Sequence, residues 1–565
     1  MLCADTGGGA TGCGVVAVLT APETRSSMSR RSGGDEARRP LLGSRSEDPG
    51  SDGDAPSERS PDSADDRGDD QPKLSYEEAV EEAGFGLFHG LLLLVCGWAN
   101  ASDAVEILCV SFLLPTARCD LQLSSADMGL LTASIFLGMM LGGYMWGYLA
   151  DQRGRQRVLV ISLAVNGTFG AVASLAPSFW LFLLLRFLSG VGVGGSIPVI
   201  FSYFSEFQPK LRRGAMISAL ATFWMAGNIL AAGAAWLVIP RTFLHVELGW
   251  LDFQSWRVFV VLCSIPSLTS AFIFSLAMPE SPRFLIEVGM EEEALTVFQL
   301  MYKLNHRGSC KPFPASGLLV NHKDDEDEVD PPRMRGCCEH LTCFFKQGLA
   351  PIRQLFLRPL LSRSIALLII NYCISFGYYG LWMWFPELFK RAEGGGSPCA
   401  NMSQPQSQEN ESCYPVKTAV YMEGFVTAAS NLPGNIFTIL LMDIVGGKIL
   451  LAGSLMVSSV SVFLIYVVKT KSQSLVMSCV FSGVSVISWN ALDVVGTELY
   501  PTQLRSSALG FFTGVGRVAA IMGNVVFGQL VDSNCAVPIL VVSALLLAGG
   551  LAALKLPRTK QTDLT

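Results

Sequence analysis

Charge is scarce in this chain. Asp, Glu, Lys and Arg make up only 16% of its 565 residues, whereas soluble chains average about 25%. The net charge of -7 arises from acids that are concentrated in tails and loops. No basic stretch is interleaved with aromatic residues, so nucleic-acid binding is not expected.

Patterns that carry catalysis or bind metals are also missing. The chain has five histidines, and none lies deep in a predicted helix. We find no phosphate-binding loop, cluster of metal ligands or nucleophile elbow in a polar setting. The glycine-rich stretch 190–195 lies in an apolar helix with no strand before it, so its small residues are expected to allow close helix packing. The sequence therefore predicts a protein that is not an enzyme and uses no cofactor or metal.

The N-terminus carries no evident cleavable signal peptide. Residues 1–83 are rich in Ser, Gly, Asp and Arg, which predicts a disordered cytosolic tail. Leu41 and Leu42 resemble a dileucine sorting signal, although Glu36 lies one position too far upstream. The expected location is an intracellular vesicle or endolysosomal membrane, with the plasma membrane as the alternative.

Long apolar runs dominate the rest of the chain, which is 50% hydrophobic overall. A helix needs about 20 apolar residues to cross a bilayer, and twelve runs are long enough. They predict an all-α membrane protein with two six-helix bundles, at 84–278 and 363–555. A cytosolic linker at 279–362 joins the bundles, and a cytosolic tail follows at 556–565. The predicted spans are 88–114, 126–150, 157–176, 179–205, 214–239, 256–278, 363–389, 418–442, 447–467, 473–497, 506–530 and 535–555.

Two short stretches occur twice, at one constant offset of 292 residues. The stretch 149–154 (LADQRG) returns at 441–446 (LMDIVG), and 206–213 (EFQPKLRR) returns at 498–505 (ELYPTQLR). Two matches at the same offset indicate a duplicated half. Duplicated apolar halves are typical of membrane transporters.

Basic residues in the short loops predict how the chain is oriented in the membrane. The loop after the second span contains Arg153, Arg155 and Arg157, and the loop after the fourth contains Lys210 and Arg212. These loops are expected to face the cytosol. Both termini and the long linker are then cytosolic as well.

The hydrophilic loop 390–417 is expected on the luminal side. It contains sequons at Asn401 and Asn410, which predict N-glycosylation. Cys399 and Cys413 flank these sequons, and a Cys399–Cys413 disulfide suits an oxidising lumen. Two free thiols are the alternative.

The duplicated stretches place matching charges at the cytosolic ends of the helices. We expect a latch that joins the two halves, in which carboxylates cap helix ends and pair with arginines. Exposed pairs contribute only about 0–1 kcal/mol each, which suits a closure that must open. The alternative is that these charges only set the topology. The predicted gate residues are Asp151, Arg155, Glu206, Arg213, Asp443, Glu498 and Arg505.

Two acids lie within the first predicted span, where charge is energetically expensive. Asp103 and Glu106 are spaced i, i+3 and share one helix face. Two neighbouring carboxylates disfavour joint ionisation, so one is expected to hold a proton near neutral pH. We therefore expect Asp103 and Glu106 to bind substrate and, with Arg186 and Arg517, to couple protons. The alternative is a structural group in which the arginines neutralise the acids.

Aromatic and polar residues share helix faces in three other spans. Trp489 and Asp493 are spaced i, i+4, and Arg517 in the next span is a predicted partner for Asp493. Aromatic walls with a few polar groups suit a sugar ring or an organic cation. Ordinary packing is the alternative for each single aromatic residue. The predicted substrate-binding residues in these spans are Trp224, Asn228, Tyr378, Tyr379, Trp489, Asn490 and Asp493.

Several longer strings resemble known families. The stretch 147–155 (GYLADQRGR) resembles the loop motif of the major facilitator superfamily, and 279–284 (PESPRF) resembles its sugar-porter and organic-ion branches. A more extensive similarity is to the synaptic vesicle glycoprotein 2 family. It is carried by the stretches 101–106, 189–198, 201–207, 255–260, 375–380 and 483–493.

This resemblance implies the major facilitator fold. It also implies that Trp224, Tyr379, Trp489 and Asp493 line a central pocket. Family members carry a large luminal domain between the seventh and eighth helices, whereas the loop here spans only 390–417. Receptor roles that depend on that domain are therefore not expected.

Together with the resemblance, these patterns predict a secondary active transporter that works by alternating access. Its expected substrate is a small polar organic solute, either an organic cation or a sugar or polyol, and proton coupling is expected. The expected partners are that solute, protons and the lipid bilayer, and the protein is expected to be a monomer. The alternative is a non-transporting vesicle membrane glycoprotein that binds ligands or partners and regulates vesicle traffic.

Overall fold

The computed structural model describes residues 73–241, 246–247, 252–306, 312–315, 317–319, 352–393, 416–500 and 502–557. Within these ranges the side chains at 246–247, 252, 443, 502–503 and 505–507 fall outside the description. The predicted sites at Asn401, Asn410, Cys399 and Cys413 lie outside the described residues, as do residues 1–72 of the predicted tail.

Twelve spans in the described residues are long and apolar enough to cross a bilayer, which confirms the predicted number. Eleven of them lie within single helices, and the eighth consists of two helices. The helices of the N-terminal half are α1 (Tyr76–Glu82), α2 (Leu87–Asp120), α3 (Ser125–Arg153), α4 (Arg155–Ala173), α5 (Phe179–Glu206), α6 (Arg213–Val238), α7 (Ser255–Ala277), α8 (Pro282–Glu287) and α9 (Glu291–Asn305). Those of the C-terminal half are α10 (Leu361–Trp382), α11 (Phe385–Ala392), α12 (Thr418–Ala429), α13 (Asn431–Val445), α14 (Gly447–Val467), α15 (Lys471–Glu498), α16 (Thr502–Leu530) and α17 (Ala536–Leu554).

Two spans of the C-terminal half have irregular boundaries. The eighth span, Thr418–Met442, consists of α12 and α13 with a break at Ser430. The seventh span ends at Trp382, earlier than the predicted residue 389, and a separate short helix, α11, follows it. Pro386 lies in the first turn of α11, where no helical hydrogen bond needs its missing N–H group. The same proline prevents α10 from continuing as one regular helix.

The duplicated stretches adopt the same local structure in both halves. Gly154 directly follows α3 and Gly446 directly follows α13, and both glycines have positive φ, 98° and 89°. Residues with a side chain rarely adopt this backbone conformation. Glycine therefore allows one span to end and the next to begin at the following residue. The repeated sequence encodes a repeated tight turn between two helices.

Close contact between α3 and α5 explains the glycine-rich stretch 190–195. A Cβ atom on Gly194 would lie 2.2 Å from the carbonyl oxygen of Met139, and one on Gly142 would lie 2.1 Å from that of Val191. No side chain fits at such distances, so glycine is needed at both positions. The stretch thus serves helix packing, as the sequence predicts.

Residues 73–83 form regular structure, in contrast to the predicted disordered tail. Strand β1 (Lys73–Leu74) pairs in parallel with β4 (Gly317–Leu318), and α1 follows it; β2 (Val246–Glu247) and β3 (Asp252–Phe253) form a separate antiparallel pair. Ala79, Val80 and Ala83 are fully buried in one apolar cluster with residues of α9. Burial of these apolar side chains offsets the polar composition of the segment.

The linker helix α9 is attached directly to the start of the first span. The side-chain amide of Asn305 donates to the carbonyl oxygens of Ala83 and Gly84, at 3.0 and 2.8 Å, and its oxygen accepts from Phe88 N at 3.0 Å. These hydrogen bonds attach the end of α9 to the N-terminal half. We call the membrane side that carries α1, α8 and α9 the linker side, and the other the opposite side.

Candidate functional site

A cavity of about 80 Å³ lies inside the C-terminal half, between α10, α15 and α16. It extends toward the linker side as far as Gly496, two residues before α15 ends. Four of the predicted site residues line it: Tyr379, Trp489, Asp493 and Arg517. The complete lining is Leu367, Asn371, Ser375, Tyr379, Trp489, Leu492, Asp493, Gly496, Leu509, Phe512, Thr513, Gly516 and Arg517.

An aromatic cluster forms the deep end of this cavity. The ring centres of Tyr379 and Trp489 are 5.8 Å apart, and Tyr378 stacks on Trp382 at 5.5 Å. Phe136 of α3 lies 4.9 Å from Tyr379, so the N-terminal half packs against this cluster from outside the cavity lining. The indole N–H group of Trp489 is buried and has no hydrogen-bond partner among the described residues. It is therefore available to a ligand.

Asp493 and Arg517 face the same cavity without pairing. Asp493 is exposed although it lies within a spanning helix. Arg517 is half-buried, and its guanidinium carbon lies 5.8 Å from the centre of the Tyr379 ring. No ion pair within 4.0 Å joins the two residues among the described side chains. The predicted Asp493–Arg517 pair is thus not formed in this conformation.

Asp103 lies in a polar network inside the N-terminal half, away from the cavity. It is fully buried, and its two oxygens accept from Asn166 Nδ2 at 3.2 Å and from Ser196 Oγ at 2.6 Å. Asn166 also donates to Ser267 Oγ at 3.0 Å. These partners are neutral, and no ion pair to Asp103 is found among the described side chains. A buried carboxyl group with only neutral donors is stabilised when it carries a proton.

Glu106 and Arg186 form an ion pair in which both side chains are fully buried. Ser189 Oγ donates to Glu106 Oε1 at 2.9 Å, and the Arg186 guanidinium lies 5.3 Å from the centre of the Phe182 ring. The structural alternative considered for the acids therefore describes Glu106, which Arg186 neutralises, but not Asp103. Neither residue of this pair lines the cavity of the C-terminal half.

Four further predicted site residues also lie outside the cavity lining: Tyr378, which packs against Tyr379, and Asn490, Asn228 and Trp224. Asn490 donates to Asn435 Oδ1 at 2.8 Å, and Asn435 donates to Thr222 Oγ1 at 3.3 Å, so a hydrogen-bonded chain links α15 to α6 of the other half. Asn228 is 2% exposed, and its Nδ2 has no partner among the described residues. Trp224 is half-buried and packs against the apolar core.

A buried carboxylate joins the two halves on the opposite side. Glu387 of α11 is 1% exposed and contacts Arg118 of α2 at 3.4 Å and Arg391 at 3.1 Å. Arg391 also contacts Asp532 at 2.9 Å and Ser125 Oγ of α3 at 3.1 Å. These five residues, which we call the Glu387 network, connect α2 and α3 to the C-terminal half.

Hydrogen bonds to main-chain carbonyl groups strengthen this closure. Ser111 Oγ donates to the carbonyl oxygen of Met383 at 2.8 Å, and Lys390 Nζ donates to that of Pro115 at 3.0 Å. Both bonds connect α2 to the end of the seventh span or to α11. The two halves are therefore in contact at the opposite end of the molecule.

Sequence reasoning did not identify the Glu387 network. Its members lie at helix ends and in short connections, where charge needs no special explanation. The one available signal was the i, i+4 spacing of Glu387 and Arg391 on a short helix. Their contacts to Arg118 and Asp532 bridge distant parts of the chain, which no local pattern reveals.

Two cysteines on the same side are oxidised. Cys119 at the end of α2 and Cys535 before α17 are both disulfide-bonded. The free cysteines among the described residues are Cys96, Cys109, Cys263, Cys373 and Cys479.

Arg155 contacts three carboxylates on the linker side. It contacts Glu206 at 3.3 Å, Asp151 at 3.7 Å and Glu287 of α8 at 3.8 Å. Glu206 also accepts a hydrogen bond from the Ser281 hydroxyl group. Three of the predicted gate residues are thus brought together, with a linker residue that the sequence did not indicate.

The predicted latch does not join the halves among the side chains that the structure describes. Arg213 contacts Glu77 of α1 at 3.6 Å, within its own half. Glu498 is exposed and has no ion pair among the described side chains. The side chains of Asp443 and Arg505 lie outside the described ones. The described ion pairs of the predicted gate therefore all belong to the N-terminal half.

The twelve spans, their division into two halves and the polar cavity define a multi-pass membrane protein of the major facilitator fold. The xylose transporter XylE from E. coli, in a partially occluded inward open conformation, matches 86% of this chain and 100% of its own with a TM-score of 0.61 at 17% identity. A D-xylose-proton symporter matches 83% of this chain and 98% of its own with a TM-score of 0.59 at 17% identity. Residues 77–308 match the family "Sugar (and other) transporter".

Sequence comparison narrows this class to one family. Synaptic vesicle glycoprotein 2C of Rattus norvegicus is 32% identical over 86% of this chain and 80% of its own length. Synaptic vesicle glycoprotein 2B of Homo sapiens is 31% identical over 87% of each chain, and glycoprotein 2A of Homo sapiens is 32% identical over 86% and 79%. The chain belongs to the synaptic vesicle glycoprotein 2 family, and its family and fold are those of transporters rather than of enzymes.

Proposed function

We propose that this protein is a secondary active transporter that moves a small polar organic solute by alternating access. The observation that carries this proposal is closure on one side. The Glu387 network joins the halves on the opposite side, whereas the described ion pairs around Arg155 stay within one half. The cavity extends toward the linker side, as a solute route in this state requires.

The cavity wall supports an organic cation or a sugar or polyol as substrate. Tyr379 and Trp489 offer ring faces, which bind cations and stack on sugar rings. The buried indole N–H of Trp489 offers a hydrogen bond. Asp493 adds an exposed acid that suits a cation.

Proton coupling is part of the proposal, and Asp103 is its candidate carrier. Asp103 is fully buried among neutral donors, so its charged form lacks a compensating cation. Glu106 and Arg186 neutralise each other beside it. Arg517, expected in this group, instead lies in the cavity. A carboxyl group whose protonation depends on its surroundings can exchange its proton when the two halves rearrange.

The relatives support a vesicle location. The matched proteins are named synaptic vesicle glycoproteins, and we propose that this chain is likewise a glycosylated vesicle protein, a monomer with cytosolic termini. The linker side is then cytosolic. The oxidised Cys119 and Cys535 on the opposite side support this orientation.

Uptake into proteoliposomes tests the proposal. The purified protein should accumulate at least one solute from a panel of sugars, organic cations and amines, measured with and without a pH gradient. Trp489→Ala should reduce that uptake at least tenfold. Trp180→Ala is the matched control, because Trp180 is 69% exposed on the outer surface and its loss should leave uptake unchanged.

A negative result favours a different function. The names of the relatives also fit a non-transporting vesicle glycoprotein that binds ligands or partners and regulates vesicle traffic. If a solute binds in a Trp489-dependent manner but is never moved across the membrane, the transport proposal fails and this second function is favoured.

A further inference from the structure

Asp493 and Arg517 are opposite charges that share one small cavity and leave each other unpaired. We propose that the cavity binds a zwitterion, an amino acid-like solute whose ammonium group meets Asp493 and whose carboxylate meets Arg517. This inference rests on the proposed function, because it names the substrate class of the same site. It narrows the proposed substrate class from organic cations in general to cations that also carry an acid group.

Asp493 and Arg517 differ from the oppositely charged neighbours that do pair elsewhere in the helices. Glu106 is neutralised by Arg186, and Arg257 contacts Asp120 at 2.8 Å. Asp493, by contrast, is exposed to the cavity, with no ion pair among the described side chains. A charge held within a spanning helix calls for a partner or water, so a bound ligand can supply what the protein does not.

The surroundings of Arg517 support the same conclusion. Its guanidinium group lies against the Tyr379 ring, which satisfies one face of the cation but accepts no strong hydrogen bond. No hydrogen bond or ion pair of Arg517 is found in the described part of the chain. A guanidinium group with free donors is well suited to a carboxylate, which it binds with two parallel hydrogen bonds.

The two charges are separated along the cavity. Asp493 is four residues after Trp489 on α15, which places it about one helical turn, or ~6 Å, closer to the linker side. Arg517 lies beside Tyr379, which itself contacts Trp489 at the deep end. A ligand that carries its charges at its two ends can therefore reach both groups. It would enter from the linker side with its carboxylate leading.

The size of the cavity suits a small ligand. Its volume is about 80 Å³, and one water needs about 10–15 Å³ on this measure. The cavity therefore has room for about six waters, which is the size range of a small amino acid. Asn371, Ser375 and Thr513 add neutral hydrogen-bonding groups along the wall.

A single charge on the ligand would leave one protein charge unpaired. A simple amine would neutralise Asp493 but leave Arg517 without an acceptor. A simple carboxylate would neutralise Arg517 but leave Asp493 without a donor. Hydrogen bonds to charged groups contribute about 1.5–3 kcal/mol each, which is a factor of about 10 to 150 in affinity. A zwitterion should therefore bind at least tenfold more tightly than either singly charged analogue.

The test compares matched ligands on the purified full-length protein. Binding is measured as ligand-induced thermal stabilisation with a series of ω-amino acids from glycine to 6-aminohexanoate. Each is compared with the amine and the carboxylate of the same chain length, such as butylamine and butyrate for 4-aminobutyrate. We expect at least one ω-amino acid to stabilise the protein, with an affinity at least tenfold above that of its amine and its carboxylate. Equal binding of butylamine and 4-aminobutyrate would show that the carboxylate is not recognised and would overturn the proposal.

Variants assign the two ends of the ligand. Asp493→Asn and Arg517→Gln should each weaken zwitterion binding at least tenfold. Asp493→Asn should leave weak butyrate binding intact, and Arg517→Gln should leave weak butylamine binding intact. Glu292→Gln, an exposed position on α9, is the control and should change nothing. Zwitterion binding that survives both cavity variants would place the ligand elsewhere and contradict the proposal.

The same ligands separate this inference from the transport proposal. If ω-amino acids bind through Asp493 and Arg517 but are not taken up by proteoliposomes, transport fails and the zwitterion site stands. If another solute is taken up and no ω-amino acid binds or competes with it, the zwitterion site fails and transport stands.

Discussion

Glu387 Oε1 contacts Arg118 of the N-terminal half at 3.4 Å and Arg391 of its own helix at 3.1 Å, while Glu387 is itself 1% exposed. One buried carboxylate therefore holds two guanidinium groups at the junction of the halves. Removing a partner from a buried pair leaves a charge uncompensated. Arg118 and Arg391 are 26% and 18% exposed, so residual hydration reduces the loss to about 1–2 kcal/mol.

We expect Glu387→Gln to loosen the opposite side. A loss of about 1–2 kcal/mol corresponds to a roughly 5- to 30-fold larger population with this side open. Leu108→Cys supplies a reporter beneath the closure, since Leu108 is 2% exposed. Its labelling by a membrane-impermeant maleimide should accelerate by that factor in the Glu387→Gln background. Glu292→Gln should not accelerate labelling, and an unchanged rate in Glu387→Gln would mean that the network does not hold this side closed.

The parts of the structure that could be predicted are those encoded locally. The repeat at 149–154 and 441–446 identified two matching turns, and Gly154 and Gly446 form them. Aromatic and acidic residues on one helix face identified part of the cavity lining at Trp489 and Asp493. In both cases neighbours along one helix are sufficient to define the feature.

Features that arise only when distant elements meet escaped prediction. Arg118 and Glu387 belong to different halves, and neither position is unusual within its own helix. Asp103 and Glu106 share a helix face, yet Arg186 approaches only Glu106, so the two acids are in different electrostatic environments. Helix packing decides such differences, and sequence spacing within one helix does not encode them.

The ionisation of Asp532 determines how the Glu387 network responds to acid. Burial raises the pKa of Asp532, but the hydrogen bond from Ser125 and the charge of Arg391 lower it more, so the pKa lies below its ordinary value. A group whose pKa is lowered by folding stabilises the protein above its unfolded pKa, about 3.9, and this stabilisation is lost as pH falls through the folded pKa.

We therefore expect the Asp532–Arg391 pair to persist in a mildly acidic compartment. The difference in melting temperature between wild type and Asp532→Asn should be constant from pH 7 to pH 5 and should shrink only below about pH 4. The comparison requires the same detergent at each pH. A difference that already disappears between pH 7 and pH 5 would show that Asp532 is not held ionised by Arg391.

Gly142 and Gly147 lie on the same helix, α3, but differ in their surroundings. A Cβ atom on Gly142 would lie 2.1 Å from the carbonyl oxygen of Val191, whereas one on Gly147 has no neighbour within 4 Å. Gly142→Ala should destabilise the protein by about 1–3 kcal/mol because α3 and α5 must separate. Gly147→Ala should be neutral or stabilising by up to about 1 kcal/mol, because alanine favours a helix. Equal melting temperatures for the two variants would contradict the tight α3–α5 contact.

Asp103→Asn tests whether Asp103 is protonated and coupled to transport. Asparagine has nearly the shape of a protonated carboxyl group, so it should cost less than about 1 kcal/mol if Asp103 carries a proton at pH 7. Glu106→Gln should cost more, about 3–5 kcal/mol, because it leaves Arg186 buried without a counter-charge. Thermal unfolding of both variants measures this contrast directly.

A transport assay of Asp103→Asn tests proton coupling directly. If Asp103 is the proton carrier, Asp103→Asn should still bind the solute, because Asp103 is fully buried outside the cavity lining. Its uptake should no longer depend on the pH gradient, since the asparagine amide does not gain or lose a proton near neutral pH. An Asp103→Asn variant that is as unstable as Glu106→Gln, or that keeps the pH dependence of the wild type, would show that Asp103 is an ionised structural residue and that coupling lies elsewhere.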